Sequence, residues 1–241
     1  MARRRGRKAR YGLLVAAVAV AVFLGFELAR GRWELGLSEA DRYAVWGVDV
    51  SHHQARVDWA RVAKHPRIRF AYVKASEGGD WIDDAFAANW EGARRAGLRV
   101  GAYHFFSFCR PPLEQAKNFL AVLPRDRDSL PPAVDVEFGG NCNGASDVAA
   151  VRRDLQAFVA EIAQRTGREP ILYVTGEAYE RIVRGGGFTN PVWIRSIFVM
   201  PDLEESAWHF WQFADDARVE GIDSSVDLNV FQGDLRALGR L

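Results

Sequence analysis

The chain has 241 residues, which suits one large domain, and its 49% hydrophobic and 26% charged residues are typical of a folded globular protein. The formal net charge is +1, but six basic residues fall among the first ten, and residues 31–241 hold 25 basic and 30 acidic residues. This acidic body excludes the strong basic surface of a nucleic-acid-binding protein, so we expect no nucleic-acid partner.

The N-terminal segment is typical of a targeting sequence. Residues 1–10 form a basic cytoplasmic tail, and residues 12–26 are an apolar stretch whose length lies between a signal-peptide core and a spanning helix. We therefore predict a signal anchor or signal peptide over residues 11–29, with an exported body behind it. Because no convincing small-x-small cleavage site follows, an uncleaved anchor is favoured, with a polar linker over residues 30–43.

From residue 44 onward, short apolar runs alternate with helical patterns, which indicates parallel strands joined by crossover helices. Strands are predicted at residues 45–50, 69–75, 99–106, 133–137, 171–174, 192–195, 209–213 and 226–230. Helices are predicted at about 58–64, 83–96, 112–123 and 147–166. About eight strands predict an α/β fold, a TIM-like barrel over residues 44–241. The last three predicted strands are not separated by clear helical patterns, so we expect the barrel to be irregular.

Two carboxyl groups, Asp135 and Glu137, occur two residues apart on one apolar predicted strand. Strand side chains alternate between faces, so both point to the same side, and active sites of such barrels lie where the strands end. Two acids in a half-dry barrel mouth repel each other, and one of them keeps its proton near neutral pH. Glycoside hydrolysis needs such a proton donor and a second acid, which makes this pair the candidate catalytic centre.

Two further acids lie on the first and last predicted strands. Asp49 ends the first strand, and Asp227 lies near the end of the chain. The first and last strands of a closed barrel are neighbours, so we predict that the two side chains meet across the closure and extend the acidic pocket. Taken singly, each is equally well explained as a loop cap.

Other polar and aromatic residues mark further strand ends and are candidates for substrate binding, because Tyr and Trp rings suit sugar faces and their polar tips suit hydroxyl groups. They are Lys74, Glu77, Tyr103, Tyr173, Trp211 and Gln212. His52, His53 and His104 lack the spacing of a metal site, so no metal is expected. The two cysteines, Cys109 and Cys142, are a candidate disulfide in an exported protein, and two free thiols are the alternative.

Together these motifs resemble glycoside hydrolase family 25. The resemblance covers about residues 44–235 and rests on GVDVSHHQ at 47–54, VDW at 57–59, AYVKASEG at 71–78, GAYHFF at 101–106, LPPAVDVE at 130–137, WQF at 211–213 and VDLNVF at 226–231. It implies a flattened, irregular β/α barrel that cuts peptidoglycan glycan strands between N-acetylmuramic acid and N-acetylglucosamine without a cofactor. We expect a monomer.

The same resemblance implies roles for individual residues. It implies that Glu137 is the proton donor and that Asp135 is its partner in the acidic pair. The acids that the family carries on its first and last strands correspond to Asp49 and Asp227. The tyrosine of the family's third strand corresponds to Tyr103. The attacking group stays open between the N-acetyl oxygen of the substrate, oriented by Asp135, and a water molecule that inverts the sugar carbon. The predicted anchor favours an enzyme that acts on the cell wall of its own organism, near the membrane.

Two other functions are alternatives to a family 25 enzyme. A chitinase-like barrel of family 18 would carry Asp-x-x-Asp-x-Asp-x-Glu, but residues 129–133 before Asp135 read Ser-Leu-Pro-Pro-Ala and lack the earlier acids. A catalytically inactive peptidoglycan-binding protein would have lost Asp135 or Glu137, and both are present. The sequence therefore favours the family 25 enzyme over both alternatives.

Overall fold

The computed structural model describes residues 18, 20, 22, 25, 37–126, 128–142, 147–197, 199–204 and 207–241. The predicted basic tail, nearly all of the predicted anchor and linker residues 30–36 lie outside the described residues. Within the described part, no helix is long and apolar enough to cross a membrane. Residues 37–40 are helical and Ala40 is fully buried, so the folded body starts before residue 44, the predicted boundary.

Strands and helices alternate along the body much as the sequence patterns predict. The strands are β1 (Val45–Val50), β2 (Ile68–Glu77), β3 (Trp81–Ile82), β4 (Arg99–Phe105), β5 (Ala133–Val136), β6 (Ile171–Thr175), β7 (Val192–Arg195), β8 (Phe210–Ala217) and β9 (Val226–Phe231). The helices are α1 (Trp59–Val62), α2 (Phe86–Arg95), α3 (Pro112–Val122), α4 (Val148–Thr166), α5 (Gly176–Ala178) and α6 (Leu235–Leu238), with a 3₁₀ turn at His52–Gln54 and a π-helical turn at Tyr179–Val183. The short strand β3 was not predicted, because two exposed residues carry no alternation pattern.

The strands of the described body form one sheet in the order β1-β9-β8-β7-β6-β5-β4-β2-β3, and pairing of β1 with β2 closes it into a barrel. The predicted irregular barrel is therefore confirmed. Its irregularity lies in β9, which runs antiparallel to both β1 and β8. Because of this reversal, the N-terminal end of β9 meets the C-terminal ends of the parallel strands.

Side chains that point into the barrel change from apolar to polar along each strand. On β1 the inward positions run from Val45 through Gly47 to Asp49, and on β2 they run from Phe70 through Tyr72 to Lys74. The apolar members fill one end of the barrel as a separate buried cluster, which also contains Trp193, Phe210 and Phe231. The polar members are left at the C-terminal ends of the parallel strands, where barrel active sites lie.

Two glycines make room for the large rings of this inner cluster. A Cβ at Gly101 would lie 2.2 Å from the ring of Tyr72, and a Cβ at Gly47 would lie 2.3 Å from the ring of Phe70. Both rings are fully buried, so neither can move aside without displacing its neighbours in a close-packed interior. The close approach of backbone to ring therefore requires glycine at both positions.

We expect Gly101→Ala to destabilise the protein by about 1–3 kcal/mol, because the added methyl group overpacks a filled barrel interior. The midpoint of thermal unfolding should fall by several degrees in a scan of the purified protein. Gly176→Ala is the matched control, since a Cβ there meets no atom within 4 Å. Equal unfolding midpoints for the two variants would contradict this account.

Candidate active site

A cavity of about 350 Å³ opens where the polar ends of the strands converge. The 3₁₀ turn after β1 and the loop after β5 complete its rim. Its lining residues are Asp49, Val50, Ser51, His53, Gln54, Lys74, Glu77, Tyr103, Phe105, Asp135, Glu137, Gly140, Tyr173, Trp193 and Asp227. All four carboxyl groups predicted from the sequence therefore line one cavity. Glu137, Tyr173 and Asp227 also line an adjoining groove that contains Arg195.

Asp49 lies at the centre of a buried hydrogen-bond network. Its Oδ2 accepts from Asn229 Nδ2 at 2.7 Å and from Gln212 Nε2 at 3.0 Å. Trp193 Nε1 donates to Asn229 Oδ1 at 2.8 Å, and the Tyr173 hydroxyl donates to Gln212 Oε1 at 2.9 Å. The four supporting side chains come from the four strands β6 to β9. Together they hold the carboxyl group of Asp49 in one orientation.

Asp227 lies opposite Asp49 in the β1–β9 register, as predicted from barrel closure. Burial, the neighbouring charge of Asp49 and a hydrogen bond to Asp49 raise the pKa of Asp227 to about 10. Burial also raises the pKa of Asp49, although its hydrogen bonds from Asn229, Gln212 and Asp227 oppose that shift. Asp227 is thus a protonated acid that donates to Asp49 at neutral pH.

Asp135 and Glu137 point into the cavity from β5 and the residue after it. Burial and the charge of Glu137 raise the pKa of Asp135 well above its usual range. Burial raises the pKa of Glu137, against the lowering effect of the positive charges on Arg195 and Lys74. Asp135 Oδ1 is buried and has no hydrogen-bond partner among the described residues. The pair can therefore hold a transferable proton near neutral pH, and Asp135 keeps an acceptor free for a ligand.

Other predicted residues line the same cavity. Tyr103 faces it, and burial together with Asp49, Asp135 and Asp227 raises the pKa of its phenol. Lys74 Nζ lies 2.8 Å from Glu77 Oε2, in an ion pair on the cavity wall.

The loop that carries Glu137 is tied to the loop after β4. Asn141 Nδ2 donates to the carbonyl oxygens of Phe106 at 2.9 Å and Glu137 at 3.0 Å, while its Oδ1 accepts from the Phe108 backbone at 2.9 Å. Next to it, a disulfide joins Cys109 to Cys142, whose Cα atoms are 6.2 Å apart. The two ties fix the backbone beside the carboxyl group of Glu137.

The prediction that Trp211 binds substrate is wrong. Its side chain is fully buried, its Nε1 donates to the Ser196 carbonyl at 2.7 Å, and its ring packs edge-on against Trp208 and Phe213 on the outside of the barrel. Alternation along β8 turns Trp211 away from the cavity, whereas its neighbour Gln212 points inward to Asp49.

Among the site residues that were not predicted from the sequence, three interact with its charged groups or with their supporting side chains. Arg195 ends β7, where its Nη2 lies 2.6 Å from Asp215 Oδ2, and Trp193 and Asn229 support Asp49. Arg195 is a polar residue at a strand end, the signal that identified the other candidates. Asn229 lies two residues after Asp227 and so faces the same side.

A β/α barrel whose strand ends bring buried acids and aromatic residues into one cavity is the arrangement of a glycoside hydrolase. Comparison with known proteins gives the family. The family model "Glycosyl hydrolases family 25" matches residues 48–222. The chain belongs to this family.

Individual relatives agree with that assignment. Lysozyme M1 of Streptomyces globisporus is 34% identical over 86% of this chain and 74% of its own length. Protein YegX of Escherichia coli K12 is 35% identical over 81% of this chain and 72% of its own length. The structure of a family 25 glycosyl hydrolase from Bacillus anthracis superposes with a TM-score of 0.76 at 34% identity, covering 83% of this chain and 94% of the other.

Proposed function

We propose that the protein is an N-acetylmuramidase that hydrolyses the β-1,4 bond between N-acetylmuramic acid and N-acetylglucosamine in peptidoglycan. The observation that carries the proposal is the convergence of Asp49, Asp135, Glu137 and Asp227 in one cavity. The similarity to lysozyme M1 supports peptidoglycan as the substrate. We further propose that residues 44–241, with the preceding helical residues 37–40, are the catalytic domain.

Glu137 acts as the general acid in this proposal. Its raised pKa keeps a proton on the carboxyl group, which protonates the glycosidic oxygen as the bond to the leaving sugar breaks. Asp49 accepts hydrogen bonds from Asn229, Gln212 and Asp227, which favour its ionised form against the effect of burial, and in this proposal its charge stabilises the positive charge that develops on the sugar ring. Tyr103 and Tyr173 supply hydroxyl groups and ring faces that position the sugar.

The unpartnered Oδ1 of Asp135 favours a substrate-assisted route. The Oδ1 of Asp135, buried without a partner, accepts the N–H of the substrate's acetamido group, and this turns the acetamido oxygen toward the sugar carbon. The products should therefore retain the β configuration when their anomeric signals are followed by NMR during hydrolysis of soluble glycan fragments. Initial release of the α anomer would instead establish inversion by water.

The choice of substrate is tested by zymography of the purified protein. We expect a cleared band in gels that contain peptidoglycan and no clearing in gels that contain chitin. Clearing of chitin alone would establish the chitinase-like alternative. Refolded protein that binds peptidoglycan but clears neither polymer would establish the inactive binding protein.

We also propose that the catalytic domain works outside the cytoplasmic membrane, held there by the N-terminal segment. The support is the basic run at residues 1–10 followed by the apolar stretch at residues 12–26. Fractionation of cells that express the full chain should place the protein in the membrane pellet, accessible to protease added from outside. Recovery of the body in culture medium, with an N-terminus after residue 26, would show a cleaved signal peptide instead.

A further inference from the structure

Three aromatic side chains form a continuous row from the β2–β3 hairpin to the rim of the catalytic cavity. The Trp81 and His52 ring centroids are 5.2 Å apart, and those of His52 and His53 are 4.0 Å apart. Trp81 is 37% exposed, although Trp side chains are usually largely buried. His53 itself lines the cavity. This aromatic row of Trp81, His52 and His53 has no part in the proposed proton transfer.

Buried polar groups hold the row in place. Asp83 is 2% exposed, and its Oδ2 accepts from the His52 backbone at 3.0 Å and lies 2.9 Å from His52 Nδ1. Asn118 is also buried, and its Nδ2 donates to the Trp81 carbonyl at 3.0 Å and to the Gly78 carbonyl at 3.1 Å. Burial of polar anchors costs desolvation energy, and here the anchors fix side chains that remain accessible to solvent. Rigid, exposed rings are suited to binding because little conformational freedom is lost.

Lys74 connects the row to the cavity. Its ammonium group lies 5.1 Å from the centroid of the Trp81 ring and pairs with Glu77, and both Lys74 and Glu77 line the cavity. Trp81 is the direct cross-strand partner of Glu77, which places it beside the same wall. A polymer that leaves the cavity along this wall passes over the row.

We propose that the aromatic row is an additional sugar-binding subsite, which holds a ring of the same glycan strand beyond the two sugars that flank the cleaved bond. This inference rests on the proposed function. The C–H groups on one face of a sugar pack against an aromatic ring, and the imidazole nitrogens hydrogen-bond with its hydroxyl groups. The row therefore determines how long a strand the enzyme prefers and leaves the chemistry of bond cleavage unchanged.

The test measures binding of soluble peptidoglycan glycan fragments by calorimetry to full-length protein that carries Glu137→Gln, which slows cleavage. Fragments range from the disaccharide to an octasaccharide, with and without stem peptides. We expect Trp81→Ala to weaken binding of the longest fragment about tenfold, a change of about 1.4 kcal/mol, and to weaken binding of the disaccharide far less. Trp81→Phe keeps a ring and should restore most of the affinity. Leu235→Ala is the matched control, because Leu235 is a 50% exposed apolar residue on α6.

The possible outcomes separate the inference from the proposed function. Equal weakening of every fragment by Trp81→Ala, or no weakening, overturns the subsite. An effect that follows the stem peptide and not the chain length also overturns it and assigns the row to peptide binding. Wild-type protein that clears peptidoglycan in each of these cases leaves the proposed function intact. If the Glu137→Gln protein binds no fragment and the wild-type protein clears no peptidoglycan, the proposed function itself is wrong.

Discussion

Glu137→Gln should lower kcat on peptidoglycan by about 10²–10⁴-fold, the range that a positioned general acid contributes. The amide has nearly the shape of the carboxyl group but cannot transfer a proton to the leaving oxygen. KM should change little, because Glu137 acts mainly in the transition state. The unfolding midpoint should not fall, since the substitution removes a buried group whose charged form is destabilised by burial.

The measurement is the initial rate of release of reducing sugar, with thermal unfolding followed on the same samples. Glu91→Gln is the matched control, because Glu91 is exposed on α2 outside the barrel and should keep the wild-type rate. In the wild type, kcat should fall as pH rises through the raised pKa of Glu137, where the proton is lost. A variant that retains more than about a tenth of the wild-type kcat would remove Glu137 from its role as general acid.

The barrel and the meeting of its first and last strands could be predicted from the sequence. Period-two and helical patterns alternate clearly from residue 44 onward, and β1 and β7 begin and end where the patterns place them. Closure of a barrel makes its terminal strands neighbours, which is why the meeting of β1 with β9 could be predicted. Asp227 lies near the start of β9, however, and it reaches Asp49 only because β9 runs antiparallel to β1.

The face on which a residue lies was harder to predict near the end of β8. The β8–β9 register shifts between Gln212 and Ala214, and only the three-dimensional pairing shows which side chains of the stretch 211–213 face the cavity. The aromatic character of Trp211 suited sugar binding, yet its neighbour Gln212 is the inward residue. Support of Asp49 by Trp193 acts through its contact with Asn229, 36 residues further along the chain, which no local pattern reveals.

The ordered segment at residues 37–43 was not predicted either, for a related reason. Residues 37–43 are mixed in polarity and have no period that distinguishes them from a linker. In the structure Ala40 is fully buried and Tyr43 packs edge-on against Trp208 and Trp211. The partners that order this segment lie more than 150 residues further along the chain, so its burial is a tertiary effect.

Asp227→Asn should stabilise the protein at neutral pH, even though it alters the site. The folded protein holds Asp227 protonated up to its pKa of about 10, whereas the unfolded chain ionises it near its ordinary pKa of about 3.9. Folding therefore takes up a proton, and stability falls as pH rises between these two values. Asparagine needs no proton, and its amide can still donate to Asp49. We expect a gain on the order of 2–4 kcal/mol at pH 7, or roughly 5–10 °C in the unfolding midpoint.

The pH dependence of the stability gain shows whether the gain comes from the proton that Asp227 takes up on folding or from a simple improvement in packing. The difference in unfolding free energy between Asp227→Asn and wild type should be small at about pH 4 and should increase toward pH 8 in urea titrations. Asp216→Asn removes an exposed carboxyl group from the neighbouring strand β8 and should show no such increase. A gain for Asp227→Asn that is constant with pH would mean that Asp227 is ionised in the folded protein. Two negative charges would then face each other across the β1–β9 pair, and the polar support around Asp49 would have to stabilise both.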